Sequence, residues 1–427
     1  MRDIIITLMV FATLPFILRR TYLGVLAWSW LSYMNPHKQA WGFATSMPFA
    51  QIVAITTLVS LLFSKEKLKL PINGTILLWL AFLAWMGVTT IFAVFPEFAW
   101  DQYLKICKIQ LVTFLTLVLI NDFRKLNQLI WVIVISIGFY SAKGGLFTVL
   151  TGGSYRVWGP AGTFIAENNA LAIATLMIIP LMIYLYATNK DRLWVKNGLL
   201  VMSVLSAFSV VGSQSRGALI AIAAVVIFFW LKSKTKLLSG LVLLLLCFAI
   251  FSFMPESWYA RMDTIQNYEE DRSAMGRINA WQYSINVASA RLTGAGMESW
   301  STSTFAIWAP NPTDVHAAHS IYFSILADHG WPGLILYVLI LGLTWRRLSK
   351  VIKLTINNKD LYAENLLARM VQVSLIAYMS GGAFLSLSYF DLPWHLFAVA
   401  IILQNHLTRK TSTSQAEVVE RPLVYSK

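Results

Sequence analysis

Three side chains in separate stretches of this chain could bind and react at a phosphate-linked centre. Arg216 closes the run Ser213-Gln214-Ser215-Arg216 and opens an apolar segment. Ser213 and Ser215 are good helix N-caps, and a helix N-terminus is itself an anion site. An arginine there suits a pyrophosphate; the plainer reading is a basic side chain snorkelling at a membrane boundary. Arg277 begins an amphipathic segment, 277–288, in which Trp281 and Tyr283 are expected at an interface while Arg277 faces a headgroup. His316, His319 and His329 cluster with Asp314. Asp314, His316 and His319 would be the ligands of a metal, but the spacing fits no strong motif, HExxH is missing and no cysteine is near. No metal site is therefore expected. His319 has two readings: a neutral imidazole that takes the proton of an attacking hydroxyl, or a structural cap. Arg156 and Asn168 are further candidates for contacts to an anionic ligand, His316 is a supporting residue, and Glu167 reads as a loop carboxylate.

These residues need elements to position them, and composition says what kind. Of 427 residues, 57% are hydrophobic and 13% charged, about half the charge of an ordinary soluble domain. That excludes a disordered chain, a disulfide scaffold and an ordinary cytosolic enzyme. Apolar runs suited to helical spans follow one another at 47–63, 74–95, 104–121, 128–150, 165–187, 195–213, 217–232, 235–254, 331–347, 365–388 and 391–407. Two shorter runs, 3–18 and 22–35, precede them. The expected fold is all-α, a polytopic integral membrane protein with about 12–13 transmembrane helices and one long periplasmic loop. Its parts are 1–254, N-terminal spans; 255–330, the long loop with short amphipathic helices; 331–410, C-terminal spans; and 411–427, a polar cytoplasmic tail. The opening run continues straight into further spans and reads as a first helix, not a removed signal peptide. Cys107 and Cys247 lie in apolar runs and read as small hydrophobes.

The net charge of +14 invites a nucleic-acid reading, but no basic helix or aromatic-interleaved patch is present. The basic residues fall on alternate short loops: Lys65, Lys67 and Lys69, then Arg124 and Lys125, then Lys190, Arg192 and Lys196, then Lys232, Lys234 and Lys236, then Arg346, Arg347, Lys350 and Lys353. Those loops face the cytoplasm by the positive-inside rule. The opposite loops carry arginine almost exclusively, as Arg156, Arg216, Arg261, Arg272, Arg277 and Arg291, with Lys38 the exception. Arginine grips phosphate in bidentate fashion. The alternative for Arg261, Arg272 and Arg291 is pairing with Glu256, Asp263, Glu269, Glu270 or Asp271.

The order of these features resembles the O-antigen ligase superfamily. His319 and Gly330 reproduce that family's H-x10-G pattern, and Arg216 matches its R-x3-L motif with Ile220 at the leucine position and Leu219 one residue earlier. The opening MRDIIITLMVFATLPFILRR, Met34-Asn35-Pro36-His37 and Trp41-Gly42-Phe43-Ala44 resemble a narrower branch, the O-glycosylation ligases associated with exosortase A systems. The resemblance covers all but the last 17 residues. It implies a metal-independent, inverting glycosyltransferase with no cofactor, in the bacterial inner membrane with its site facing the periplasm. The donor would be a glycan on undecaprenyl diphosphate; the acceptor would be lipid A-core, a polysaccharide or a protein. Arg216 and Arg277 would bind the diphosphate, His319 would activate the acceptor hydroxyl, and the 255–330 loop would cover a cavity open sideways to lipid. An O-antigen polymerase and a protein O-oligosaccharyltransferase share this layout, and the sequence does not separate them. A transporter or lipid-linked-sugar flippase is the reading from another class. Against it stand the lack of an internal repeat and polar groups gathered at one face, with Lys105, Lys108 and Lys143 as exceptions.

Overall fold

A computed structural model describes residues 1–64, 69–189, 191–232, 235–252, 254–256, 258–259 and 272–419. Arg261, Asp263, Glu269, Glu270 and Asp271 lie outside the described residues, as do Lys65, Lys67, Lys190 and Lys234. The described chain is helical and contains no strand. The helices are α1 (Arg2–Arg19), α2 (Tyr22–Met34), α3 (Phe49–Leu62), α4 (Gly74–Ile91), α5 (Pro96–Leu119), α6 (Phe123–Leu150), α7 (Asn168–Thr188) and α8 (Leu193–Gly212). They continue with α9 (Arg216–Lys232), α10 (Lys236–Ser252), α11 (Arg272–Ala290), α12 (Thr302–Trp308), α13 (Ile321–Thr355), α14 (Tyr362–Gly381) and α15 (Asp391–Val419).

Each apolar run of the sequence becomes a helix, so the all-α polytopic expectation holds. Among the described residues seven helices, α4 to α8, α13 and the stretch Lys359–Phe384 containing α14, are long and apolar enough to cross a membrane. A chain in hydrocarbon must satisfy its backbone internally, and helices do so within one segment. Side chains define several starts: Asn73 accepts from the amides of Thr75 and Ile76, Asp122 from Lys125, and Ser320 from Phe323. Helix α5 begins at Pro96, eight residues before the apolar run read from the sequence. Proline at the first turn and Glu97 beside it favour that earlier start. Helix α15 runs on to Val419, into the segment read as a polar tail.

Helix α7 lies at the centre, with 78% of its apolar window buried. Around it α4, α5, α6, α13, α14 and α15 share one apolar core. Trp79 and Trp394 lie 5.2 Å apart in that core, and the Trp79 indole donates to Gln110 Oε1 at 2.9 Å. Large apolar side chains such as Ile4 and Leu8 on α1 and Leu244 and Phe248 on α10 remain exposed, as lipid-facing positions require.

Helix α13 sets the position of the site. It begins at Ile321, inside the long loop, and breaks at Gly330, where φ is 64° and ψ is −173°. A Cβ at Gly330 would stand 2.1 Å from the Leu292 carbonyl oxygen. The loop after α11 fills that break: the amides of Ala295 and Gly296 donate to the carbonyls of Ala327 and Asp328 at 2.8 and 3.2 Å. These bonds satisfy carbonyls left without helical partners at the break.

Candidate functional site

The loop ahead of α13 is tied to α11 by three side chains. Asn279 donates to the carbonyls of Asn311 and Asp314, both at 2.9 Å, and its Oδ1 accepts from the Asn311 amide at 2.9 Å. The Trp281 indole donates to the Ala318 carbonyl at 2.8 Å, and its ring stacks on Phe323 at 4.9 Å. His316 packs over Gly276: a Cβ at Gly276 would meet its Nδ1 at 2.7 Å, so only glycine leaves room for the ring. His316 in turn pairs with Asp314, Nδ1 to Oδ1 at 2.8 Å. Among the described residues no group of three His, Cys, Asp or Glu side chains converges as metal ligands would.

His319 stands at the end of this tied loop, with its backbone at φ 43°. A left-handed histidine costs on the order of 1–3 kcal/mol and persists only where its surroundings enforce it. Here the Trp281 bond acts on the residue before it, and Ser320, after it, caps α13. The ring is half-buried and its Nδ1 makes no hydrogen bond within the chain. Burial lowers the His319 pKa from 6.5; Arg277 and His316 lower it further, while Glu167 opposes them. The imidazole is therefore neutral at pH 7, with an arginine and a carboxylate close enough to act on it. Glu167, read from sequence as a mere loop carboxylate, belongs to this group.

The turn that leads into Arg216 adjoins the same neighbourhood. It opens α9 after a turn in which Gln214 is left-handed, at φ 53°. Gln214 donates to the Gly153 carbonyl at 3.1 Å, and Asn168, next to Glu167, donates to the Ser213 carbonyl at 2.8 Å. Asn168 thus positions the Arg216 turn, which its sequence reading as a ligand contact did not anticipate. A Cβ at Gly217 would lie 3.3 Å from that of Phe384, whose ring is 6.2 Å from Trp281. The turn ahead of Arg216 and the Trp281 clamp before His319 therefore adjoin one another through Phe384. Arg156 is exposed on the preceding loop, and the Val157 amide beside it donates to Gly212 at 3.1 Å. It lies at the rim of the same turn.

Other expectations change. Gly330 serves the fold, through its close approach to Leu292, and His329 is fully buried away from His319. The His329 ring bonds Thr89 at 2.7 Å and Tyr389 at 2.8 Å, and Tyr389 donates to Asp328 at 2.7 Å. Tyr283, expected at an interface, is fully buried and stacked on Phe305 at 4.5 Å. Arg291 donates to the backbone carbonyls of Gly294 at 2.9 Å and Phe92 at 2.5 Å, while four of its five expected carboxylate partners lie outside the described residues. Lys105 lies over the Phe164 ring at 4.7 Å.

His319 thus lies within electrostatic reach of Arg277 and Glu167, beside the turn that leads into α9. It can take a proton from a neutral nucleophile while arginine stabilises an anionic leaving group. Residues 201–338 match a family model described as O-Antigen ligase, and residues 1–190 match a family of unknown function, DUF5935. No curated protein matches the chain. Arg216, Arg277, His316, His319 and Gly330 fall within 201–338; Arg156, Glu167 and Asn168 fall within 1–190.

Proposed function

This chain belongs to the O-antigen ligase superfamily through residues 201–338, and from that membership we propose that it is a metal-independent, inverting glycosyltransferase. The donor is a glycan on undecaprenyl diphosphate, and the acceptor is a hydroxyl presented on the periplasmic face of the bacterial inner membrane. The acceptor oxygen attacks the anomeric carbon as the bond from that carbon to the diphosphate oxygen breaks. His319 takes the hydroxyl proton, and the diphosphate leaves with its electron pair and negative charge. Arg216 and Arg277 hold that charge, with Arg156 at the rim. A planar guanidinium suits two phosphate oxygens at once and, unlike a histidine, stays charged throughout the reaction.

The observation that supports this reading is the half-buried imidazole of His319, its Nδ1 unbonded within the chain, on a loop that Asn279 and Trp281 clamp to the helix carrying Arg277. A hydroxyl is a poor nucleophile near neutral pH, and a base that is already deprotonated contributes about 10²–10⁴-fold. Asn168 and His316 support the site, by holding the Arg216 turn and by packing at Gly276. The test uses purified protein in nanodiscs with a carrier-diphosphate glycan. Release of carrier diphosphate should require an acceptor and survive a chelator; release that stops on chelation would sink the metal-independent mechanism.

A further inference from the structure

The part of α13 before its break, residues 321–329, is a short helix in its own right. It starts two residues after His319 and is about 13 Å long at 1.5 Å per residue. Because Gly330 leaves helical geometry, the long remainder of α13 does not fix the direction of this segment. Bonds from other elements must do so, and they fall at its two ends.

At the Gly330 end, the carbonyls of Ala327 and Asp328 accept from the Ala295 and Gly296 amides, and that of His329 accepts from the Trp85 indole at 2.8 Å. The side chains there form a line of contacts. Thr89 on α4 meets His329 Nδ1 at 2.7 Å, His329 Nε2 meets the Tyr389 hydroxyl at 2.8 Å, and that hydroxyl donates to Asp328 Oδ2 at 2.7 Å. A phenol has one hydrogen to give, so with Asp328 as its acceptor the ring nitrogen is the donor to Tyr389. Asp328 is buried and its Oδ1 has no hydrogen bond, so Tyr389 supplies the one bond that this carboxyl group accepts. At the His319 end, Ser388 Oγ donates to the Ile321 carbonyl at 3.2 Å. Ser388 and Tyr389 are neighbours in the stretch between α14 and α15. Two consecutive residues thus hold opposite ends of the 321–329 helix.

We propose that Ser388 and Tyr389 brace this helix and are positioning residues for His319, which stands just ahead of it. They act through the helix, whose first turn Ser320 caps. Without the Tyr389 hydroxyl, Asp328 and His329 Nε2 are both left unpaired in a buried place, and the segment must shift to satisfy them. A rod pivoting at one end moves what its other end carries. The kinetic consequence rests on the transfer proposed above; the brace itself can be read without substrate.

Tyr389→Phe keeps the ring and removes the hydroxyl. Tyr184→Phe is the control, removing a different tyrosine hydroxyl, one that bonds Asn127 on α6. In nanodiscs with a carrier-diphosphate glycan and an acceptor, Tyr389→Phe should lower kcat roughly ten- to a hundredfold with donor KM within about twofold of native. It should also move the acid limb of kcat/KM toward pH 6.5, because burial is the largest cause of the lowered His319 pKa, ahead of Arg277, Glu167 and His316. Modification of His319 by diethyl pyrocarbonate, followed by peptide mass spectrometry, should speed up in Tyr389→Phe. Tyr184→Phe should match the native protein in all three readouts. Ser388→Ala, the milder change, should shift them in the same direction as Tyr389→Phe and replaces it if that variant does not fold. A lowered melting temperature with native kcat, acid limb and modification rate would mean that these bonds only stabilise the fold, and would overturn the proposal. If the native protein transfers no glycan, the transfer reading fails, and the modification rate alone decides the brace.

Discussion

The indole of Trp281 donates to the carbonyl of Ala318 at 2.8 Å, across 37 residues of sequence and one residue before His319. This bond, with the Asn279 clamp, carries the position of the histidine from a rigid helix to a loop. Trp281→Phe keeps an aromatic ring against Phe323 but leaves the Ala318 carbonyl without its donor. Stability should fall by about 1–3 kcal/mol. A displacement of about 1 Å at a reacting group can cost 10²-fold, so turnover should fall roughly ten- to a hundredfold with donor KM little changed. A thermal melt and a kcat–KM split measure both; unchanged kcat would mean that His319 does not need this anchor.

The pH profile follows from the neighbours of His319. Its pKa lies below 6.5, so the base is deprotonated above that pH and activity is lost as pH falls through the lowered value. Glu167 raises that pKa, so Glu167→Gln should move the acid limb of kcat/KM to lower pH. Arg277 lowers it, so Arg277→Gln should move the limb upward, whatever it does to the height of the profile. Limbs that stay fixed in both variants would remove His319 as the group titrating there.

The arginines should differ in rank. Arg216→Ala and Arg277→Ala should each lower kcat by about 10²–10³-fold, as loss of a donor to a developing anion does elsewhere. Lysine at either position keeps the charge but loses the fork and should restore only part of the activity. Arg156 is exposed at the rim, and Arg156→Ala should cost less than about tenfold because solvent screens such a charge. Steady-state kinetics on the three alanine variants give the order directly; a loss at Arg156 equal to the other two would contradict it.

Gly330 should behave as a structural residue. A side chain there would demand a backbone region open almost only to glycine and would meet the Leu292 carbonyl. Gly330→Ala should destabilise by at least about 1–3 kcal/mol. Whatever protein folds should bind donor normally, which thermal denaturation and a donor-binding isotherm can separate. Normal stability with impaired donor binding would instead give this position a ligand role.

The sequence singles out Arg216, Arg277 and His319 as candidates because residue type and order are local signals. It also carried the helical architecture, since apolar runs read directly as helices. It did not reveal Glu167, whose proximity to His319 depends on how the loop before α7 meets the loop before α13. The same limit applies to Trp281 and Tyr283. Their aromatic character suggested an interface, whereas Ala318, Phe323, Ser299 and Phe305 meet them as partners more than a dozen residues away. Gly330 was legible as a motif but not as a break, because the loop that enters its space follows a helix some forty residues upstream. Asn168 was read as a candidate ligand contact, and its hold on Ser213 was not legible because the two lie 45 residues apart.

Acceptor-dependent release of carrier diphosphate by His319→Ala is the most direct test of the proposed transfer. The expected result is a fall of about 10²–10⁴-fold in turnover, with binding of the carrier-diphosphate donor retained. Turnover equal to that of the native protein, at the same donor occupancy, would contradict it.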